Sequence, residues 1–145
     1  GGRLADALGQ RDVRWSLWLI AVIFVGITPF LVAFCLLNNT VIALTLFVVP
    51  ATLSAIYFGP SVAVIHGRVP ASLRPVASAL FILIVTLIGL GFGPITAGAL
   101  SQYVFASYGA DSLRYALVVM QFTALWGALH YYFAGHSLKE SPVAA

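Results

Sequence analysis

The sequence predicts an all-α, polytopic membrane protein with four transmembrane helices. Four long apolar stretches, residues 15–37, 41–65, 76–104 and 113–133, contain one charged residue between them, Arg114 at the start of the fourth. Each stretch is long enough to cross a hydrocarbon core, which needs roughly 20 residues of helix. A soluble helical bundle is a poor alternative, because each of its helices would need a polar face toward water.

Composition supports the membrane assignment. Hydrophobic residues make up 61% of the chain and charged residues 8%, whereas soluble proteins average about 45–50% and about 25%. The formal net charge is +3, but no basic patch with interleaved aromatic residues indicates a nucleic-acid partner. The predicted partner is the lipid bilayer.

The distribution of Lys and Arg predicts the orientation. Four spans place both termini and residues 67–75 on one side, and residues 38–40 and 106–112 on the other. Six of the seven basic residues belong to the first side: Arg3, Arg11, Arg14, Arg68, Arg74 and Lys139. The positive-inside rule therefore predicts cytoplasmic termini, in a plasma (inner) membrane. Aromatic residues 131–133 fall where an interfacial belt is expected.

Three parts follow along the chain: a cytoplasmic loop at 1–14, the four helices within 15–135, and a cytoplasmic tail at 136–145. Ser72 is a candidate N-cap for the third helix, and Asp111 or Ser112 for the fourth. The chain opens at Gly1 inside a polar loop, with no Met and no signal-peptide pattern. We therefore expect it to be a piece of a longer protein.

The second stretch carries the best candidates for a polar lining. Ser54, Tyr57 and Ser61 recur at i, i+3 and i+7 and so share one face of a helix. Pro50 and Pro60 interrupt that helix, and broken helices at membrane depth commonly line a cavity. The alternative is that the serines bond back to carbonyls of their own helix.

Small residues recur every four positions in the third stretch, at Gly89, Gly93, Ala97 and Ser101. Such a stripe lets another helix approach closely, because membrane helices associate through packing. Pro94 removes one backbone hydrogen bond and favours a kink. The stripe therefore indicates either tight packing or a hinge in a moving helix.

Catalysis finds no support in the sequence. No Asp, Glu, Lys or Arg lies in the middle of a span, so a buried charged group is missing. His66, His130 and His136 lie near span ends and form no i, i+4 ligand pair, which argues against a metal site. Cys35 has no polar activator near it in sequence. We predict no enzyme, no metal and no cofactor.

The opening residues Gly2, Leu4–Asp6, Gly9 and Arg11 fit the pattern G-x-L-A-D-x-x-G-x-R. This pattern resembles the cytoplasmic loop signature of the major facilitator superfamily. Three later blocks, at 69–74, 88–94 and 109–117, follow in the order found in the spinster-like branch of that superfamily. The resemblance covers nearly the whole chain. Ala7 and Gln10 depart from the signature, which often has basic residues there.

The resemblance implies the second copy of the loop, followed by helices nine to twelve of the C-terminal bundle. It implies a secondary transporter that moves a small organic or lipid-like solute by alternating access. The second span would then be the tenth helix, beside the central cavity, and Asp6 would face a helix end in the N-terminal bundle. That bundle, a partner within the same polypeptide, would lie upstream of this chain.

A second class of function stays open. The chain could be a non-transporting four-span scaffold or assembly subunit that docks through the stripe from Gly89 to Ser101. The upstream coding sequence discriminates between the two. Eight further spans with a first loop motif would favour transport, and a nearby start codon would favour the scaffold.

Overall fold

A computed structural model describes residues 13–138 of the chain. Within that range every regular element is a helix, and four helices are long and apolar enough to cross a membrane. They are α1 (Val13–Leu36), α2 (Thr40–His66), α3 (Ala71–Val104) and α4 (Ala106–Ser137). The predicted all-α fold with four spans is confirmed, and the chain is an integral membrane protein.

Two helices are longer than the sequence indicated. α3 begins at Ala71 with a short 3-10 turn, and α4 begins with a 3-10 segment, Ala106–Asp111, and runs to Ser137. The predicted bounds begin at the first strongly apolar residue of each stretch, whereas both helices start in polar lead-in turns. α4 also takes in the first two residues of the expected tail.

The predicted N-caps of α3 and α4 are wrong. Ser72 lies inside the 3-10 turn and makes no capping bond within the described part of the chain. Asp111 precedes the α-helical part of α4 but pairs with Arg114 instead of capping. A side-chain cap does form on α2, where the amide oxygen of Asn39 accepts from the N–H groups of Val41 and Ile42 at 3.1 and 3.2 Å.

α2 is broken near its middle. It is α-helical over Thr40–Leu53, tightens to a 3-10 turn over Ser54–Tyr57, and is α-helical again over Phe58–His66. Pro60 explains the position of the break. Because proline has no N–H, the carbonyl of Ile56 loses its usual helical donor, and the turn before it is free to tighten.

α3 widens into two π-helical segments, Thr86–Phe92 and Leu100–Val104, on either side of the α-helical Gly93–Ala99. The N–H of Gly93 bonds to the carbonyl of Ile88, five residues back. Pro94 follows directly and has no N–H to donate, so the wide turn accommodates it. The sequence predicts a disturbance at Pro94 but not its form. Such π segments inside α-helices often mark functional positions.

The four helices do not contribute equally to the packed interior. α1 lies at the centre, packing along α4 and against α2. Its side chains Leu17, Ile20, Ala21 and Ile27 are buried, and Ile20 is only 1% exposed. α3 contacts the second half of α2 and the first part of α4, and Ala97 is its one buried hydrophobic residue among those described. α3 is therefore the edge helix of this group.

Candidate functional site

Polar and aromatic side chains from three helices meet at the break in α2. Ser61, on the α2 segment after the break, is only 6% exposed. Its Oγ lies 2.7 Å from the carbonyl oxygen of Tyr57 and 2.8 Å from the hydroxyl of Tyr131 on α4. Tyr57 is nine residues from the end of α2, which is about 13 Å along the helix. Tyr57 is therefore well inside the span, whereas Ser61 and Tyr131 lie closer to the ends of their helices at His66 and Ser137.

The donors in this network follow from the chemistry of the groups. A carbonyl oxygen only accepts, so Ser61 donates its single hydroxyl proton to the carbonyl of Tyr57. The hydroxyl of Tyr131 must then donate to Ser61 Oγ. One lone pair on the Tyr131 oxygen stays available to accept a hydrogen bond.

Phe24 of α1 joins the two tyrosines. Its ring lies edge-on to Tyr57 with centroids 6.0 Å apart, and edge-on to Tyr131 at 5.8 Å with an interplanar angle of 89°. Edge-to-face contacts at these distances are favourable. The three rings and Ser61 thus form one cluster, which we call the Tyr57–Tyr131 cluster and define as Phe24, Tyr57, Ser61 and Tyr131.

A cavity of about 270 Å³ lies against this cluster. Its walls come from α1, α2 and α4, and its lining residues are Leu17, Ser61, Val64, Ile65, His130, Tyr131 and Ala134. The lining is almost entirely apolar, with Ser61 and Tyr131 supplying hydroxyl groups. A cavity of this character suits an apolar group that carries a single hydrogen-bonding function.

Of the three predicted lining residues, the structure brings together Tyr57 and Ser61 and leaves Ser54 apart. Ser54 is exposed and its hydroxyl bonds to the carbonyl of Ala51 at 3.4 Å. The alternative, in which the serines bond back to their own helix, thus describes Ser54. It describes one of the two hydrogen bonds of Ser61, the other being to Tyr131. The 3-10 turn keeps Ser54 and Tyr57 on one face, because residues i and i+3 eclipse there. Ser54 is apart because it lies about 10 Å farther along α2 than Ser61.

Tyr131 and Phe24 are the members of the cluster that the sequence analysis did not single out. Tyr131 was interpreted as part of an interfacial aromatic belt, because it precedes Tyr132 and Phe133. Its contact with Ser61 joins residues 70 positions apart, and spacing along one helix carries no information about such a contact.

The small-residue stripe on α3 divides into two halves. Ala97 is buried, and Ser101 Oγ lies 2.9 Å from Ser112 Oγ, so this half packs toward α4. Gly89 and Gly93 differ, because a Cβ built on either one has no neighbouring atom within 4 Å. The half that contains both glycines therefore faces no other described part of the chain.

The loop motif residues Gly2, Asp6, Gly9 and Arg11 lie outside the described residues. At the end of the helices where α1 connects to α2, Arg114 links two turns. Its Nη1 donates to the Asn38 side-chain oxygen at 2.7 Å and pairs with Asp111 at 3.2 Å. The basic residue on the side predicted to be external is therefore held in a local polar network.

The three histidines serve as contacts between side chains or within one helix. His66 Nε2 lies 2.6 Å from Ser78 Oγ, which joins the end of α2 to α3. His130 Nδ1 lies 2.9 Å from the carbonyl of Trp126, and the ring of His136 packs beside Trp18. No group of three His, Cys, Asp or Glu residues that could hold a metal ion exists between residues 13 and 138.

Comparison with known proteins gives one informative relative. The chain is 31% identical over 134 residues to an MFS-type efflux pump of Mycolicibacterium smegmatis, MFS being the major facilitator superfamily. The match covers 92% of this chain and 31% of the relative, so the chain spans about a third of that protein's length. No protein-family model and no solved structure matches the chain. The relationship supports the superfamily that the loop motif resembles.

Proposed function

We propose that this chain forms helices nine to twelve of a major facilitator transporter, which moves a small organic or lipid-like solute by alternating access. The related efflux pump and the four membrane-spanning helices support a transporter in general. The finer assignment, including the spinster-like branch, rests on the order of sequence blocks from the loop motif to residue 117. The N-terminal bundle would be supplied by an upstream part of the same polypeptide.

The observation that carries the proposal is the broken α2 with the Tyr57–Tyr131 cluster beside it. A helix break and a hydroxyl network are energetically unfavourable within hydrocarbon, because unsatisfied backbone groups cannot form hydrogen bonds with water there. Transporters place such breaks where they line a solute site near the midplane. In this chain the break is followed by Ser61, which bonds to Tyr131, and both of these residues line a cavity of about 270 Å³.

The chemistry of this region favours an amphipathic solute. The cavity walls are apolar apart from two hydroxyl groups and the imidazole of His130, and the charged residues of the described spans, Asp111 among them, lie near helix ends. An apolar solute body would pack on the rings, and one polar group would bond to a hydroxyl. A fixed ion pair with the solute has no partner in this region of the described helices.

The two glycines that face no described residue support a second bundle. Close helix approach needs small residues at the contact, and Gly89 and Gly93 are unused for packing within residues 13–138. Contact with the opposite bundle would use this surface. In the scaffold alternative the same surface would dock a different protein, and no observation in the chain favours that occupant.

Tyr57→Ala in the full-length protein is the direct test of the site. We expect the initial rate of ethidium transport by reconstituted protein to fall by about five- to tenfold, because the ring that packs against Phe24 and the solute is removed. Tyr57→Phe should retain part of the activity, since it keeps the ring. Uptake is measured per folded transporter, with yield and thermal stability from the same preparation.

The matched control is Tyr103→Ala, which removes another tyrosine that is 83% exposed at the far end of α3. We expect this variant to transport at the wild-type rate. Wild-type transport by a well-folded Tyr57→Ala protein would remove Tyr57 from the site. A lower folded yield with normal uptake per folded molecule would assign Tyr57 to packing alone.

Orientation has its own test. Since six of seven basic residues lie on one side, we expect Asn39→Cys to react with a membrane-impermeant maleimide on intact cells, and Ala144→Cys to react only after permeabilisation. Both are made in an otherwise cysteine-free protein, which requires Cys35→Ala within this chain. Reaction of Ala144→Cys from outside intact cells would reverse the assigned topology.

A further inference from the structure

Tyr131 is placed to control the break in α2 from a different helix. Its hydroxyl gives the one hydrogen bond that joins α4 to α2 among the described residues, at 2.8 Å to Ser61. Ser61 directly follows Pro60 and bonds in turn to the carbonyl of Tyr57. A continuous set of hydrogen bonds therefore runs from α4 to the backbone of the proposed solute-contacting residue.

The ring of Tyr131 reaches the same residue by a second route. It packs edge-on against Phe24, and Phe24 packs edge-on against Tyr57. Tyr57 is thus held through its carbonyl by Ser61 and through its ring by Phe24, and Tyr131 contacts both of those residues. Because Pro60 has no N–H, one backbone hydrogen bond fewer opposes rotation of the two halves of α2 relative to each other.

We infer that Tyr131 is a positioning residue: through Ser61 and Phe24 it fixes the geometry of the α2 break and the direction in which Tyr57 faces the solute. The inference rests on the proposed function in so far as Tyr57 contacts a solute. The effect of Tyr131 on the break itself does not depend on transport. The role of Tyr131 and the proposed function can therefore be disproved separately.

Tyr131→Phe tests the hydroxyl while keeping the ring on Phe24. In the full-length protein we expect the KM for ethidium to rise about three- to tenfold, the size of effect that one lost hydrogen bond produces. The maximal rate per folded transporter should stay within about twofold. A purely structural role would lower the amount of folded protein and leave KM unchanged, because KM does not depend on that amount.

Two further variants define the chemistry. Ser61→Ala removes the bonds to both Tyr57 and Tyr131, so it should raise KM at least as much as Tyr131→Phe. The double variant should be no worse than Ser61→Ala alone, because the Tyr131 hydroxyl has already lost its partner there. Ser61→Thr keeps a hydroxyl and should restore most of the affinity. The matched control is Tyr132→Phe, because the Tyr132 hydroxyl has no hydrogen bond to any described residue, and its KM should equal that of wild type.

A labelling measurement tests the break without a solute. Ser54→Cys, at the start of the 3-10 turn, is introduced with Cys35→Ala, and its rate of reaction with N-ethylmaleimide is measured. Tyr131→Phe should raise this rate threefold or more, and should leave Ser72→Cys in the first turn of α3 unaffected. An unchanged rate at position 54 would overturn the inference. A raised labelling rate at position 54, together with wild-type transport by the Tyr57→Ala protein, would support the role of Tyr131 at the break. It would reject only the proposed solute site at Tyr57.

Discussion

Gly135→Ala is expected to destabilise the protein by about 1–3 kcal/mol, because the added methyl group would overlap the indole of Trp18. Gly135 is buried on α4, directly under Trp18 of α1. A Cβ built there overlaps Trp18 Nε1 and lies 2.6 Å from Cδ1 and 3.2 Å from Cε2. Trp18 cannot swing aside without losing its packing on Trp15 and His136. Denaturant titration in detergent micelles measures the free energy of unfolding.

A second substitution shows whether Trp18 is the cause. Trp18→Ala removes the whole indole, including the overlapping atoms, so Gly135→Ala should cost almost no further stability in the Trp18→Ala protein. The indole N–H has no hydrogen-bond partner within the described chain, so its removal breaks no such bond. Gly127→Ala is the matched control on the same helix, because its Cβ would meet Phe24 at an ordinary 3.7 Å. Wild-type stability of Gly135→Ala would show that α1 and α4 do not pack as described.

Gly93→Leu should leave the stability of this four-helix region nearly unchanged and yet reduce transport strongly, by about tenfold or more. No described atom lies within 4 Å of a Cβ at Gly93, so the leucine meets no obstacle among residues 13–138. If the opposite bundle packs on this surface, four extra carbon atoms prevent close approach. The measurement is the initial rate of ethidium transport per folded full-length transporter.

Two controls separate the surfaces of α3. Leu90→Ile changes a side chain that is 76% exposed on another face and should be tolerated. Ala97→Leu overfills the buried contact with α4 and should lower folded yield, which Gly93→Leu should not do. Equal tolerance of Gly93→Leu and Leu90→Ile in transport would show that the glycine surface is not used for packing.

Much of the fold could be predicted because hydrocarbon imposes simple rules on sequence. Length, apolarity and the near absence of charge determine where helices cross, and these features were visible in all four stretches. The form of α2 and α3 was less accessible. Pro60 and Pro94 indicated that the helical hydrogen bonding would be interrupted. The choice between a tightened 3-10 turn and a widened π turn depends on which neighbouring carbonyls find donors.

The candidate site was predictable only in part for a related reason. The spacing of Tyr57 and Ser61 lies within one helix, so the sequence could associate them. Tyr131 and Phe24 come from two other helices, and their approach depends on how α1 packs against α4 and α2. Ser54 shares the helix face, but a shared face does not give the distance along the helix, and its hydroxyl bonds to the carbonyl of Ala51 instead.

Solute counterflow by the reconstituted full-length protein tests the central claim most directly. Proteoliposomes are preloaded with unlabelled ethidium or lysophosphatidylcholine, and entry of the radiolabelled form of the same solute is followed. Alternating access predicts saturable entry that the internal solute accelerates, because a loaded carrier returns across the membrane with its solute. Absence of saturable, internally stimulated entry for both probes, by protein shown to be folded, would contradict the transporter assignment and favour a non-transporting membrane scaffold.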